Sequence, residues 1–241
     1  MLAPSSPGDC FWIALEASRI AIKYMVPVII LSDGYLANGA EPWKIPTLDE
    51  LPEIPVKYVT DPVGFQPYKR NPDTLARPWA VPGTPGLEHR VGGIEKQDVT
   101  GNISYDPLNH EHMVRTRAEK VQRIAQEIPD VVPEGDTEGD LLIVGWGSTS
   151  GPITAALNSQ REKGRKIGHV HLRFLNPLPR NLGDVLKRYK KVLVPEMNMG
   201  QLVMLLRAKY LVDAVSYGKI QGKPFKQSEI EFKIEEVLGV L

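Results

Sequence analysis

The chain has 241 residues, of which 42% are hydrophobic and 24% are charged, values typical of soluble globular proteins and unlike those of disordered or membrane-embedded chains. Lys and Arg together number 29 and Asp and Glu together also number 29, so no basic excess favours binding to nucleic acid or to an anionic membrane. Cys10 is the only cysteine, which excludes an internal disulfide or an iron–sulfur cluster held by this chain alone. Because the sequence also shows no leader peptide and no apolar stretch of the ~20 residues that span a membrane, it predicts a cytoplasmic protein.

The first predicted element is a helix that Asp9 caps and Pro27 ends, with an apolar residue at every third or fourth position between them. This apolar face comprises Cys10, Ile13, Ala14, Ala17, Ile20, Ala21 and Tyr24. Residues 28–31 (VIIL) follow, and such a run without polar alternation predicts a strand buried on both faces of a parallel sheet. A buried strand needs neighbours, yet no comparable strand follows before Asp136, so we expect preceding sequence to complete this layer.

A long connection is predicted next. Residues 42–85 hold 10 of the 21 prolines, each of which removes a backbone donor and disfavours helix in the residue before it. This composition predicts extended chain and turns. One helix is expected over residues 111–127, with a buried face formed by Val114, Ala118, Val121, Ala125 and Ile128.

From residue 141 onward, apolar runs alternate with helical patterns, which is typical of a doubly wound parallel α/β sheet. Strands are expected at residues 141–144, 167–175, 192–194 and, at the sheet edge, 214–220. Helices are expected at residues 149–163, 181–189 with Asn181 as cap, 201–211 and 228–238.

The glycine-rich sequence GWGSTSG at residues 145–151 lies between a predicted strand and a predicted helix, where backbone N–H groups can hold an anion. Its spacing is one residue longer than the dinucleotide-binding fingerprint, and it has no P-loop lysine. The simpler interpretation is a tight turn capped by Ser148 or Thr149. It is also not the nucleophile elbow of a hydrolase, which argues against Ser148 and Ser150 as nucleophiles.

Two pairs of histidines raise the possibility of a metal site: His110 with His112, and His169 with His171. Neither pair has the i, i+4 spacing of a helical zinc site, and no cysteine lies near them. Hydrogen-bonded imidazoles are the more common outcome for such pairs. Cys10 lies on an apolar helix face, where an inert side chain is expected. The residues alone therefore assign no catalytic, cofactor-binding or metal-ligating position.

Several longer stretches resemble the alpha subunit of 2-oxoacid:ferredoxin oxidoreductases, particularly the 2-oxoglutarate type. The resemblance begins with residues 8–43 and continues through 84–89 (TPGLEH), 98–102 (DVTGN) and 109–111 (NHE). In the carboxyl-terminal part, residues 142–147, 176–179 (NPLP) and 192–202 (VLVPEMNMGQL) resemble the core domain II of that family, which is similar to the last domain of transketolase.

The resemblance implies three parts. Residues 1–40 would be the carboxyl-terminal remnant of the domain that binds the pyrimidine ring of thiamine diphosphate, residues 41–138 the proline-rich connection with one helix, and residues 139–241 the transketolase-like core domain II. The substrate loop, the acidic residue that activates the cofactor and the preceding gamma-type domain of the family have no counterpart here. The resemblance thus implies no catalytic residue at any position of this chain, which we expect to be inactive alone.

The resemblance also implies a complex. Its beta subunit would contribute the diphosphate-binding layer with Mg²⁺ and an iron–sulfur cluster, coenzyme A would accept the acyl group, and ferredoxin would accept the electrons. A second alpha–beta unit is expected, without nucleic acid or membrane, and this chain alone is expected to bind none of the cofactors.

Two other functions stay open from the residues. The proline-rich stretch and the opposite charge bias of the two halves of the chain are compatible with a free-standing protein-binding or scaffold module. A small nucleotide-binding enzyme that uses residues 145–151 is the third reading.

Overall fold

The computed structural model describes residues 1–240, which form two compact units. The first unit comprises Met1–Ala14, Ile29–Ile45 and the chain from Ile128 onward, and the second comprises Leu15–Val28 and Pro46–Glu127. The helices are α1 Asp9–Tyr24, α2 Gly34–Asn38, α3 Pro107–Arg123, α4 Ser150–Glu162, α5 Leu182–Leu186, α6 Gln201–Tyr210 and α7 Gln227–Leu238. The strands are β1 Tyr58–Val59, β2 Trp79–Ala80, β3 Glu134–Gly135, β4 Gly139–Trp146, β5 Ile167–Leu172, β6 Tyr189–Glu196 and β7 Ala214–Gly218.

The first unit is built on a five-stranded sheet in the order β3-β5-β4-β6-β7. Strands β5, β4, β6 and β7 are parallel, with Leu142 of β4 opposite Gly168 of β5 and Val192 of β6, as the alternating pattern predicted. The prediction of a wholly parallel sheet was wrong at one edge, because β3 pairs antiparallel with β5. Two residues without an apolar run leave no strand signal in the sequence.

Both faces of this sheet are covered, which confirms the doubly wound arrangement. Neighbouring residues of a strand point to opposite faces, so Leu142 packs against the side chains of α5 and α6, whereas Leu141 packs against those of α4 and α7. The helices carry the apolar positions that the 3.6-residue period requires. Burial of β4 is almost complete, since its residues Leu141, Leu142, Ile143 and Val144 are each 0% exposed.

Several predicted boundaries in this unit were wrong. Strand β5 ends at Leu172 and not at residue 175, and α5 ends at Leu186 because Tyr189 already begins β6. Asn181 precedes α5, but its side chain bonds to the backbone of Val131 at 2.8 and 2.9 Å and makes no cap. This long-range partner replaces the local bond that the sequence predicted.

The predicted helix near the amino terminus is present as α1, and Ile13, Ala17, Ile20 and Tyr24 of its apolar face are buried, whereas Ala14 is exposed. The sequence predicted that Asp9 precedes the helix and caps it, but Asp9 is the first residue of α1. Its backbone N–H lies 3.3 Å from the Ser6 hydroxyl oxygen. The carboxylate of Asp9 is thereby free to bind elsewhere.

Residues 28–31 do not form the strand buried on both faces that the sequence predicted. They make a single parallel bridge, between Ile30 and Leu2, with hydrogen bonds from Leu2 N to Ile29 O at 3.0 Å and from Leu31 N to Leu2 O at 2.8 Å. Ile29 is 56% exposed and Ile30 is 39% exposed. Within residues 1–240 this segment is paired on one side only, which leaves apolar side chains in solvent.

Apart from the carboxyl-terminal part of α1, the two-stranded pair β1-β2 and helix α3, the second unit is mostly irregular, as the prolines predicted. Helix α3 begins earlier than predicted, because Asp106 Oδ1 accepts a hydrogen bond from Leu108 N at 2.9 Å and Pro107 occupies the first turn. Of the predicted buried face, Ile128 is buried and Val121 and Ala125 are half-buried, but the prediction was wrong for Val114 and Ala118, which are exposed. The other buried side chains are Met113, Lys120 and, just beyond the helix, Ile124.

No helix among residues 1–240 is long and apolar enough to cross a membrane.

Candidate functional site

The carboxyl ends of β4, β5 and β6 lie at one edge of the large sheet, the position where open α/β sheets carry their ligands. We call this the carboxyl edge; it comprises the turn at residues 145–151, Arg173 and Glu196, together with Asp9 and Asp33, which contact them. Its charged groups are arranged in three separate contacts.

The first contact is a buried carboxylate. Glu196, at the end of β6, is 0% exposed and accepts hydrogen bonds from Leu202 N at 2.9 Å, Val203 N at 3.1 Å and Trp146 Nε1 at 3.2 Å. Asn198 Nδ2 also lies 3.2 Å away. The amides of Leu202 and Val203 belong to the first turn of α6, where the helix dipole favours a negative charge. Glu196 therefore joins α6 to the end of β4.

The second contact concerns the glycine-rich turn. Asp33 Oδ2 accepts a hydrogen bond from Ser148 N at 3.3 Å, while Asp33 Oδ1 accepts from Tyr35 N and Leu36 N at 3.0 and 3.1 Å. A carboxylate of the chain itself thus lies where a bound anion would be expected. The structure does not support an external anion at this turn.

The turn has internal reasons for its glycines. Gly147 has a φ of 61°, which favours glycine, and a Cβ on Gly145 would lie 2.6 Å from Ile153 Cδ1. Thr149 Oγ1 accepts from Trp146 N at 3.1 Å and donates to Trp146 O at 2.8 Å, so the tight-turn interpretation is confirmed with Thr149 as the capping residue. The buried hydroxyl of Ser148 has no hydrogen-bond partner among the described residues, so none of their basic groups is positioned to take its proton and make it a nucleophile.

The third contact is an ion pair between Arg173, just beyond β5, and Asp9 of α1. Arg173 Nε lies 3.1 Å from Asp9 Oδ2 and Nη2 lies 2.5 Å from Oδ1, a two-pronged geometry. Asp9 also accepts from Ser5 N at 2.9 Å and Ser5 Oγ at 3.0 Å. This pair links the first turn of α1 to the carboxyl edge.

The structure does not make a metal site of either histidine pair. His110 and His112 lie on α3, where their rings contact different carboxylates, Glu95 at 2.7 Å and Asp98 at 3.2 Å. Within residues 1–240, no group of three or more His, Cys, Asp or Glu side chains could hold a metal ion.

The second pair is buried in β5, with ring centroids 5.5 Å apart. His169 Nδ1 lies 3.3 Å from Glu134 Oε2, whereas both ring nitrogens of His171 are buried without a hydrogen-bond partner, so the expected hydrogen bonds form only in part. Burial lowers the pKa of His169 to about 4 and that of His171 to about 3. Both imidazoles are therefore neutral near pH 7.

Cys10 is not set up for nucleophilic chemistry. Its sulfur lies 3.6 Å from Ser6 O, and burial, followed by the charge of Asp9, raises the pKa of the thiol. Sequence reasoning singled out none of Asp33, Arg173 or Glu196. Their partners are 115, 164 and up to 50 residues away, so no local pattern identifies them.

Two family models match the chain. Residues 139–230 match the pyruvate:ferredoxin oxidoreductase core domain II, and residues 1–105 match the pyruvate flavodoxin/ferredoxin oxidoreductase family, thiamine diphosphate-binding. The two matches together include the residues of the carboxyl edge: Asp9 and Asp33 lie in the match to residues 1–105, and Glu196 lies in the match to residues 139–230.

Among curated proteins, the chain is 53% identical to 2-oxoglutarate oxidoreductase subunit KorA of Mycobacterium tuberculosis, over 95% of this chain and 35% of the relative. It is 34% identical to 2-oxoacid:ferredoxin oxidoreductase 1, subunit alpha, of Aeropyrum pernix, over 81% of this chain and 32% of the relative. The chain thus spans about a third of the length of these relatives.

A solved structure, 2-oxoglutarate:ferredoxin oxidoreductase from Magnetococcus marinus with 2-oxoglutarate, coenzyme A and succinyl-CoA bound, matches with a TM-score of 0.91 and 30% identity. The match covers 98% of this chain and 42% of the solved chain. Nearly all of the fold described above is therefore shared with that protein.

Proposed function

Because this chain belongs to the family of 2-oxoacid:ferredoxin oxidoreductase alpha subunits, we propose that it works as part of such a subunit in an assembly that oxidises 2-oxoglutarate. In the reaction, a 2-oxoacid, coenzyme A and oxidised ferredoxin give acyl-CoA, CO₂ and reduced ferredoxin. The 53% identity to a 2-oxoglutarate oxidoreductase subunit supports this choice of substrate. The single observation that carries the proposal is the TM-score of 0.91 to a chain of an enzyme with the same substrate bound.

The described residues do not fit thiamine diphosphate as a complete site. The acidic residues of the carboxyl edge are engaged within the chain, Asp9 by Arg173, Asp33 by the turn and Glu196 by α6. None of them belongs to a group of carboxylates that could hold the metal of a diphosphate, among the residues that the structure describes. We therefore derive no step through the cofactor from this chain.

Thiamine diphosphate, when bound in the assembly, supplies the carbanion-stabilising chemistry that decarboxylation of a 2-oxoacid needs. We propose that a beta subunit and further alpha-subunit sequence provide its diphosphate layer, Mg²⁺ and an iron–sulfur cluster. The names of the relatives as subunits support a partner chain. A second alpha–beta unit, ferredoxin as acceptor and a cytoplasmic location complete the proposal.

The division into residues 1–40, 41–138 and 139–241 assigns a role to each part. We propose that residues 1–40 present the open side of the 28–31 segment to the rest of the cofactor-binding layer. Ile29, Ile30 and Tyr35, which are 56%, 39% and 57% exposed, are the side chains that such a layer would cover. The Leu2–Ile30 bridge joins this segment to Leu2, and the Asp9–Arg173 pair and the Leu2–Phe174 bridge hold residues 1–40 beside the core domain.

The experiment is a reconstitution. The purified chain is mixed with 2-oxoglutarate, thiamine diphosphate, Mg²⁺ and coenzyme A, and reduction of a viologen dye is followed with and without a beta subunit and a full-length alpha subunit. We expect no reduction by this chain alone and capture of a beta subunit by the tagged chain. Dye reduction by the isolated chain would overturn the proposal, and failure to capture any beta subunit would favour the free-standing scaffold.

A further inference from the structure

A cavity of about 340 Å³ in the second unit is lined by one acidic side chain, Glu95, and an excess of cations. We call its cationic side chains the cation cluster, which consists of Arg70, Arg77, Lys96, Arg117 and Lys120. Arg117 pairs with Glu95, with Nη1 and Oε1 3.1 Å apart. The remaining four cations have no carboxylate partner at ion-pair distance among the described residues.

Two of these cations are buried lysines. Lys120 of α3 is 8% exposed and its Nζ donates to Met25 O at 3.0 Å, whereas Lys96 is 3% exposed and donates to the carbonyls of Gly92 and Ile94 at 2.8 and 2.6 Å. Carbonyl oxygens satisfy the hydrogen bonds of an ammonium group but do not neutralise its charge. Buried charges in proteins are usually paired, so these lysines mark a place where an anion is expected.

Arg70 adds an unsatisfied donor. Its Nη1 donates to Leu75 O at 3.0 Å, but its buried Nε has no acceptor among the described residues. A buried N–H that lacks a partner is destabilising, and a ligand oxygen would remove this penalty. The guanidinium groups of Arg70 and Arg77 each lie over the ring of Tyr68, 5.7 and 4.7 Å from its centroid, so both contact the same side chain.

The acidic groups near the cluster are already occupied. Glu95 also bonds to His110 Nδ1 at 2.7 Å, and Asp98, whose charge acts on Arg70, lies 3.2 Å from His112 Nε2. Burial, followed by the charges of Arg70, Arg77 and Arg117, lowers the pKa of Lys120 to about 8. Glu95 and Asp98 therefore offset the charges of Arg117 and Arg70 only in part, and the charges of Arg70, Arg77 and Arg117 still act on Lys120.

From this juxtaposition we propose that the cation cluster binds a phosphate or pyrophosphate group of a small organic phosphate. Guanidinium groups match the oxygens of a phosphate in pairs, and lysines add compact positive charge. Arg70 and Arg77 also line an adjoining cavity of about 800 Å³, together with Ile22 and Trp79. That cavity has a mixed lining, in which Ile22 and Trp79 lie among further charged side chains, and it gives space for the remainder of the molecule, which suits a nucleoside diphosphate.

The test uses isothermal titration of the full chain with inorganic pyrophosphate and with ADP in about 150 mM NaCl, where weak surface attraction is screened. Lys120→Met and Arg70→Gln each remove one charge-assisted contact and should raise Kd about 10- to 100-fold. Lys187→Met, which alters an exposed lysine in the first unit, is the matched control and should leave Kd unchanged. Circular dichroism of each variant verifies the fold.

A second measurement needs no variant. Because an anion next to Lys120 raises the pKa of that lysine, binding at about pH 8 should take up protons, and the observed heat should then depend on the ionisation enthalpy of the buffer. ADP binding tighter than pyrophosphate identifies a nucleotide, and equal affinities show that the pyrophosphate group alone is recognised. Absence of binding at millimolar concentration, variant affinities within twofold of wild type, or equal binding of citrate would overturn the proposal.

Discussion

Replacement of Glu196 by glutamine tests the role of the one fully buried carboxylate at the carboxyl edge. Glu196 Oε1 accepts hydrogen bonds from Leu202 N, Trp146 Nε1 and Asn198 Nδ2, whereas Oε2 accepts from Val203 N at 3.1 Å. The amide oxygen of Gln can replace Oε1 and keep the larger set of donors. Its NH₂ group then faces the Val203 N–H, and two donors are left without an acceptor.

The magnitude follows from these contacts. One unsatisfied buried amide costs about 1–3 kcal/mol, and loss of a negative charge at the start of α6 costs about 0.3–1 kcal/mol. We expect Glu196→Gln to lower the free energy of unfolding by about 1–4 kcal/mol, hence the Tm by about 3–16 °C. Glu196→Ala leaves Leu202, Val203 and Trp146 all without an acceptor and should destabilise the protein further.

The assay combines thermal unfolding with amide hydrogen exchange, because exchange at Leu202 and Val203 reports on the first turn of α6 directly. Both amides should exchange faster in Glu196→Gln while the amides of β4 keep their relative protection. Glu162→Gln, an exposed position at the end of α4, is the matched control and should change stability by less than about 0.5 kcal/mol. A Gln variant as stable as this control, with unchanged exchange at Val203, would refute the reasoning.

Three further predictions concern the other features of the first unit. Arg173→Met removes the ion pair with Asp9 and should destabilise the chain in urea unfolding. The effect should be only about 1 kcal/mol, because the Arg173 side chain is 41% exposed and solvent screens the interaction. A change equal to that of the exposed control Arg180→Met would contradict this prediction. His169 and His171 are neutral in the folded protein and take up protons on unfolding below pH 6.5. Their contribution to stability should therefore be constant above that pH and fall towards pH 4, by up to about 1.4 kcal/mol per pH unit for each histidine. His171→Leu should reduce this slope in urea unfolding between pH 7 and pH 5, and an unchanged slope would count against it. Ile30→Lys should change the free energy of unfolding of the isolated chain by less than about 0.5 kcal/mol, since Ile30 is 39% exposed. The same substitution should weaken capture of the beta subunit or full-length alpha subunit in a pull-down. The control Val63→Lys, at an 86% exposed position in the other unit, should bind like wild type.

The fold of the first unit was predictable wherever the composition of a segment by itself requires burial. Residues 141–144 and 192–194 are runs of apolar side chains that no solvent-exposed conformation tolerates, and the helical periods between them left a parallel α/β sheet as the expected solution. The resemblance to a known family was visible in the sequence because it rests on long continuous stretches, and their length also makes it specific. The segment at 28–31 was predicted as a strand from its composition. A strand also needs neighbouring strands to pair with, and among the described residues only Leu2 pairs with this segment.

Contacts between distant residues could not be predicted. The face of α3 around Met113 and Lys120 is buried because Met25 O lies where the Lys120 ammonium group can donate to it, so a lysine took the position that Val114 or Ala118 was expected to hold. The carboxylate of Asp33 accepts a hydrogen bond from Ser148 N of the glycine-rich turn, although the two residues are 115 positions apart in the sequence.

The sequence by itself determined the main strands and helices from residue 139 onward, since hydrophobic period and proline placement act within a few residues. Only the tertiary structure decided which charges meet: Asp9 with Arg173, Glu196 with α6, and the five cations around one cavity. The physical reason is that electrostatic and hydrogen-bond partners are selected by distance in space, which is set only after the apolar segments have packed.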